Sequence, residues 1–420
     1  MVGLGHIGLP LAVQYASRGH DVVGCDVDPQ VVAAINRGES PHDDEPSVSE
    51  RVPELVAGGR LRATTDDAEG ARNAEVVVMI VPVVVDAEGR IDFGPIDAAT
   101  REVARGLQPG TLVIYETTLP VGTTRDRLGP MLEQGSGLHL DRDLFLAFSP
   151  ERVLVGRVLL DLRRYPKIVG GTSPEATRRA MAFYEAALEP GTEVRAVSSA
   201  EAAEMTKLAE TTYRDVNIAL ANEYARYAAR HGVDVSEVIE AANSQPYSHI
   251  HQPGVGVGGH CIPVYPHFLF GTDTDLQLPP LARRINDGMA RWTVDLLRER
   301  IGSLDSVPVL VLGIAYRADV REDAFSSAFR LRDELLAAGA RVLGHDPYFD
   351  AGHLRSLGFE PWDPTAPEPA RVAIVQAGHA AYLEMEPGAI PGLELMVDGR
   401  NALDRERWTQ AGVAHVGIGR

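Results

Sequence analysis

One of only two cysteines in the chain closes a run of small residues, GVGVGGHC at 254–261. The thiolate is the nucleophilic form of cysteine, and a neighbouring imidazole or an array of loop N–H groups lowers a thiol pKa towards neutrality. Cys261 beside His260 therefore has the means to attack an electrophilic carbon. The glycines ahead of it let the backbone pass close to a ligand. Most cysteines are small buried hydrophobes; Cys25, at the end of an apolar run, is read that way, and Cys261 taken alone would be too.

A second chemical pattern opens the chain. Gly3, Gly5 and Gly8 stand in G-x-G-x-x-G spacing, before a helix-compatible stretch from about 9 to 18 and an apolar run, Val22–Cys25, that ends at Asp26. Such glycines permit a tight turn and bring backbone N–H groups to a pyrophosphate at a helix N-terminus. Asp26 stands where a carboxylate accepts both ribose hydroxyls and repels a 2′-phosphate, which favours NAD over NADP. An ordinary strand-to-helix turn shares the glycine spacing; the placed acid tips the balance. Only Met1 and Val2 precede Gly3, so the first strand is expected to be nearly absent. HIHQ (249–252) has too short a spacing for a metal cluster and lacks further partners at zinc-like intervals, so no metal is expected.

Around the thiol, SQPYSHIHQPGVGVGGHCIP resembles the active-site loop of the UDP-glucose/GDP-mannose dehydrogenase family, nearest its branch acting on UDP-N-acetylhexosamines. The resemblance runs through GLGHIGLP, INRGESP, VPVVVD, YETTLPVGTTR, FSPERVLVGR, EMTKLAETTYRDVN and DGRN, in order over nearly the whole chain. It implies a four-electron oxidation, in which a sugar C6 alcohol becomes a carboxylate while two NAD molecules are reduced in turn. It implies that Cys261 forms a thiohemiacetal and then a thioester, that Lys207 stabilises the oxyanion, and that Glu151 positions substrate or water. Thr118 would organise a catalytic water. Gly3, Gly5, His6, Ile7, Gly8, Asp26, Pro82, Glu116 and Thr118 would meet NAD, with Glu116 beside the nicotinamide. Arg152, Lys207, Gly256, Gly258, Gly259, Arg317 and Arg400 would meet the UDP-sugar. A homodimer is implied as well, and no metal.

Two positions depart from the family's pattern. Thr211 stands one helical turn after Lys207, where an asparagine usually shares the oxyanion. Tyr265 stands four residues after Cys261, where an aspartate usually acts as base. A phenol, with a reference pKa near 10, is a poor base at neutral pH. His260, Lys207 or a water held by Thr118 and Glu151 is expected to take the proton instead. UDP-glucose or GDP-mannose oxidation, an enzyme that stops at the aldehyde, and a nucleotide-sugar binder without oxidation are the alternatives.

These residues need a scaffold. VVVMIVP (76–82), TLVIYETTLP (111–120), LFLAFSP (144–150) and KIVGG (167–171) are apolar runs separated by helix-compatible stretches, the pattern of strands buried on both faces of a parallel sheet. From 198 to 240 the chain is Ala-, Glu- and Leu-rich; a central helix from Ser198 to about His231 is expected, opened by Ser198 or Ser199 with help from Glu201. Met205, Leu208, Val216 and Leu220 are its candidate dimer seam or, equally, contacts with the chain's own domains. After 300 the alternation resumes, with PVLVLGIAYR, a helix over 326–338 and ARVLGHDPYF repeating the opening logic without the dinucleotide glycines. The expected fold is α/β: two Rossmann-like doubly wound parallel-sheet domains joined by a long central helix. The divisions are 1–195 for NAD, 196–300 for the central helical dimerisation and active-site part, and 301–420 for the nucleotide sugar.

Composition agrees with this reading. A chain of 420 residues with 45% hydrophobic content exceeds the roughly 250–300 residues that one core supports. Its net charge of -19 argues against nucleic acid or an acidic membrane as partner. Two cysteines, no apolar stretch near membrane-spanning length and no leader pattern point to a soluble protein of the reducing cytoplasm.

Overall fold

The computed structural model describes residues 1–42, 45–86 and 89–420. The chain divides into two compact units, Met1–Glu210 with His267–Thr272, and Thr211–Pro266 with Asp273–Arg420.

The first unit contains β1 (Val22–Cys25), β2 (Leu61–Thr64), β3 (Val76–Met79), the short hairpin β4 (Val84–Val85) and β5 (Ile91–Asp92), β6 (Leu112–Tyr115), β7 (Phe145–Phe148), β8 (Lys167–Gly171) and β9 (Val194–Ala196). Val2 stands in for the missing first strand. It bridges Cys25 and Met79 in parallel, taking the Ile80 N–H at 2.9 Å and giving its own to Val78 at 2.8 Å. The sheet therefore reads β2-β1-Val2-β3-β6-β7-β8-β9, and each neighbouring pair is parallel except β7 with β8. Some helices start on side-chain caps that the sequence supplies: Asp28 accepts the Gln30 N–H ahead of Pro29–Asn36, and Ser173 that of Ala176 ahead of Pro174–Ala187.

The second unit holds β10 (Pro308–Leu312), β11 (Arg341–His345), β12 (Glu360–Pro361), β13 (Val372–Val375), β14 (Leu395–Asp398) and β15 (Ala414–Gly417). They lie all parallel in the order β12-β11-β10-β13-β14-β15, with a reversal point beside β10. Val309 and Val311 join the core on one face, Leu310 and Leu312 that on the other, so the sheet is covered on both sides.

The likeness between the chain's two ends extends to single hydrogen bonds. Gly3 and Gly313, at φ +90° and +88°, each give their N–H to the last residue of the neighbouring strand, Cys25 and His345. Asp26 then accepts the N–H groups of Leu4 (2.8 Å) and Asp28 (3.0 Å); Asp346 accepts those of Ile314 (2.7 Å) and Tyr348 (2.9 Å). Asp346 is fully buried and also meets His379 at 3.1 Å, whereas Asp26 remains partly exposed. One carboxylate is left accessible to a ligand; the other is consumed by its own fold.

The helix Ala200–His231 contributes its first turns to one unit and the remainder to the other. Ser199 Oγ accepts the Ala202 N–H, as expected of the cap, while Glu201 pairs with Arg125. Gly232, at φ +65°, ends it, and Val235–Asn243 starts afresh on an Asp234 cap. Of the candidate seam residues, Leu208 is fully buried; Met205 and Leu220 are exposed. Among the described residues no helix is long and apolar enough to cross a membrane.

Candidate active site

At the carboxyl edge of the first sheet, the residues after β6 and β7 bring two carboxylates together. Glu116 and Glu151 follow those strands directly or nearly so. The antiparallel β8 supplies a third charge: Phe148 faces Gly170, and continuing that register sets Lys167 opposite Glu151, beyond the end of β7. Lys167 Nζ donates to Glu116 Oε2 at 2.9 Å and to Glu151 Oε2 at 2.8 Å, and is only 5% exposed. The Tyr15 and Tyr184 hydroxyls reach Glu116 Oε1 at 3.1 and 2.6 Å.

Burial pushes the Glu116 carboxyl up to about 7, with the Lys167 ammonium offsetting part of the effect and the nearby Glu151 adding to it. Burial acts on Glu151 too, but Lys167 and hydrogen bonds from Glu116, Lys167 and the Arg152 N–H outweigh it and hold its carboxyl below the usual range. Two carboxylates around one ammonium thus divide roles, one ionised and one readily protonated.

Lys207, on the long helix, rests its ammonium on the Glu151 main-chain carbonyl at 2.5 Å and is 9% exposed. Arg152 gives its N–H to Glu151 Oε1 at 2.7 Å and its guanidinium to Glu210 and the Pro166 carbonyl. One turn before Lys207, the fully buried Glu204 accepts from Gly122 N, Thr124 N and Thr124 Oγ1 at 2.6–2.8 Å. Thr118 is buried two residues past Glu116; Pro82 is exposed beyond β3. A cleft of about 550 Å³ between Arg72, Gln108 and Arg179 lies at the opposite edge, where β3 and β6 begin, away from this cluster.

In the second unit the glycine loop lies on its own fold. A Cβ on Gly256 (φ +157°) would come within 2.7 Å of Ser327, and one on Gly259 (φ +93°) within 2.9 Å of the Tyr316 ring; Gly258 is equally tight against Phe325. Arg400 Nε donates to the Gln376 carbonyl (2.6 Å), Nη1 to the Gly256 carbonyl (3.1 Å) and Nη2 to Ser327 Oγ (3.5 Å). Burial pushes this guanidinium down to about 10. Tyr316 links the loop to Arg317, whose Nε reaches its hydroxyl at 3.0 Å while the guanidinium stays exposed.

The loop delivers a partly buried Cys261, whose carbonyl accepts the Val264 and Tyr265 N–H groups at the head of a turn. The exposed His260 ring points to Glu322 (3.8 Å) and the edge of Phe325. Thr211 is buried on the long helix. HIHQ is tied to Asn217, which donates to the His249 carbonyl and accepts from the His251 N–H. Cys25 is buried against Gly70, and burial pushes its thiol up to about 11, as suits a structural cysteine.

Three family models match consecutive parts of the chain: the UDP-glucose/GDP-mannose dehydrogenase NAD binding domain over residues 1–188, the central domain over 201–287 and the UDP binding domain over 310–405. The chain belongs to the UDP-glucose/GDP-mannose dehydrogenase family. It is 37% identical to a UDP-N-acetyl-D-mannosamine dehydrogenase of Pyrococcus horikoshii, over 84% of each chain. The enzyme of that name from Methanocaldococcus jannaschii is 32% identical over 98% of this chain and 94% of its own. A solved structure of UDP-D-ManNAc dehydrogenase from Pyrococcus horikoshii superposes with TM-score 0.90 at 33% identity, covering 100% of this chain and 98% of that one.

As a member of this family the chain is an NAD-dependent oxidoreductase. Its opening turn fits the cofactor. A Cβ on Gly8 would meet the Gly3 carbonyl at 1.9 Å, so that glycine closes the turn; around Gly5 nothing lies within 4 Å, leaving the approach a pyrophosphate needs. His6 is exposed and Ile7 half-buried on the rim, and Asp26 is held by the Leu4 and Asp28 N–H groups where a ribose would lie.

Lys167, Tyr15, Tyr184 and Glu204 escape the sequence reading. KIVGG was legible as a strand, and its only clue was a charged residue opening an otherwise apolar run.

Proposed function

We propose that the chain oxidises the C6 hydroxyl of a UDP-N-acetylhexosamine, UDP-ManNAc or UDP-GlcNAc, through the aldehyde to the uronic acid. The names of its relatives support that substrate class, and the UDP binding domain supports the nucleotide. The observation that carries the reading is the buried Lys207 ammonium held on the Glu151 carbonyl, at the carboxyl edge of the NAD-binding sheet. A fixed donor in a dry site stabilises an oxyanion by roughly 3–4 kcal/mol.

NAD, when bound, accepts the hydride of each oxidation. In the first step C6 loses hydride and its hydroxyl loses a proton, leaving the aldehyde. The Cys261 thiolate adds to that carbon, and the resulting oxyanion is assigned to Lys207, with Thr211 as hydroxyl donor. Loss of the second hydride gives a thioester; water cleaves it to the carboxylate and returns the thiol. With Tyr265 in place of an acidic base, the proton acceptor is a water held by Thr118 and Glu151. Glu151 is the ionised member of its pair, whereas His260 turns to Glu322. Arg317 and Arg400 are assigned to the diphosphate; the guanidinium of Arg400 donates to neutral acceptors, with the Asp398 carboxylate taking its main-chain N–H.

The active form is a homodimer. Tyr213, Leu220, Tyr224 and Tyr227 are 40–60% exposed and, at helical spacing, fall on one stripe of the long helix. The setting is a reducing cytoplasm and a polysaccharide or glycoconjugate pathway, and 1–195, 196–300 and 301–420 are the functional divisions.

Incubation with NAD and a panel of UDP- and GDP-sugars, read at the NADH band, tests the proposal. Two NADH per UDP-N-acetylhexosamine are expected. One NADH marks an enzyme that stops at the aldehyde, and none marks a binder; either result overturns it.

A further inference from the structure

We propose that Lys167 is a positioning residue of the dehydrogenase site: its ammonium ties the Glu116 and Glu151 carboxylates into one array and so fixes the peptide on which the Lys207 ammonium rests. The inference rests on the functional reading above. Three strand ends and two helices converge on this point. Glu116 follows β6, Glu151 lies past β7 and Lys167 opens β8, while Tyr15 and Tyr184 come from Gly8–Ser17 and Pro174–Ala187. The Tyr184 ring also lies 4.9 Å from Lys167 Nζ.

The two lysines divide one residue between them. Lys167 takes the Glu151 carboxylate at 2.8 Å, and Lys207 takes its carbonyl at 2.5 Å. Without Lys167, two buried carboxylates would face each other; among the described residues the tyrosine hydroxyls and the Arg152 N–H would remain as donors inside the array, with the Arg152–Glu210 pair and Lys207 at its margin. Two such groups cannot both stay ionised. The pair would take up a proton, and the Glu151 side chain would lose the partner that sets its direction.

The test compares wild type, Lys167→Met, Lys167→Arg and the double variant Glu116→Gln/Lys167→Met. Turnover is followed across pH, and melting temperature across pH without substrate. Lys167→Met is expected to lose turnover roughly tenfold to a hundredfold, with the acid limb of kcat moved up by about one pH unit and KM for NAD little changed. Lys167→Arg should restore most of the turnover and the original limb. In the melting series the deficit of Lys167→Met should widen from pH 5 to pH 8, because ionisation of the pair is then uncompensated; in the double variant, with only Glu151 left to ionise, it should widen distinctly less. A deficit equal at every pH, with a kcat profile parallel to wild type, overturns the proposal. If Lys167→Met does not fold, a folded double variant supports it and an equally unfolded one contradicts it. If wild type oxidises no sugar, the functional reading fails while the melting series still decides the role of Lys167.

Discussion

The Lys207 ammonium donates to the main-chain carbonyl of Glu151 at 2.5 Å, so the group proposed to hold the oxyanion is tied to the peptide of the acid that follows β7. Lys207→Met should therefore lower kcat by a factor of roughly 10² to 10³, the effect of one lost oxyanion donor, while NAD affinity changes little. Steady-state kinetics with a separate NAD titration check both halves.

Glu204 anchors the Gly122–Thr124 turn from inside the same helix. Burial raises its carboxyl from 4.5 to about 7, despite the Thr124 and Gly122 hydrogen bonds. The native state therefore holds the proton longer than the unfolded chain. Its effect on stability is most favourable below pH 4.5, declines as pH rises through about 7, and is level above that. Glu204→Gln should flatten this slope. Glu204→Ala, which orphans three donors, should cost about 3 kcal/mol, measured by denaturant unfolding.

Asp26 accepts the Leu4 and Asp28 N–H groups and remains partly exposed beside the glycine turn. Asp26→Asn removes the charge that would repel a 2′-phosphate. NAD should bind about tenfold more weakly, near 1.4 kcal/mol, and the preference over NADP should narrow; fluorescence titration with both nucleotides reads this directly.

What was legible in the sequence follows from how local each signal is. Gly3, Gly5, Gly8 and Asp26 fall within one strand–helix–strand unit, so their spacing alone describes the turn. Strand identities were legible because runs such as LVIY are buried on both faces. Lys167 was not, since nothing in KIVGG signals that β8 runs against its neighbour and thrusts its first residue past the end of β7. Nor was Glu204, one acid among several in an Ala-rich helix, whose anchor lies in the distant turn at Gly122. The glycines before Cys261 pointed to close approach, and the structure identifies Tyr316, Phe325 and Ser327 as what they approach. On the long helix, periodicity located an apolar face but did not separate the buried Leu208 from the exposed Met205 and Leu220.

The most direct measurement is the fate of C6 when the thiol is removed. Cys261→Ala should yield no uronic acid from a UDP-N-acetylhexosamine that wild type converts with two NADH, as quantified by chromatography of the products. Acid formed by Cys261→Ala at the wild-type rate would contradict covalent catalysis at Cys261.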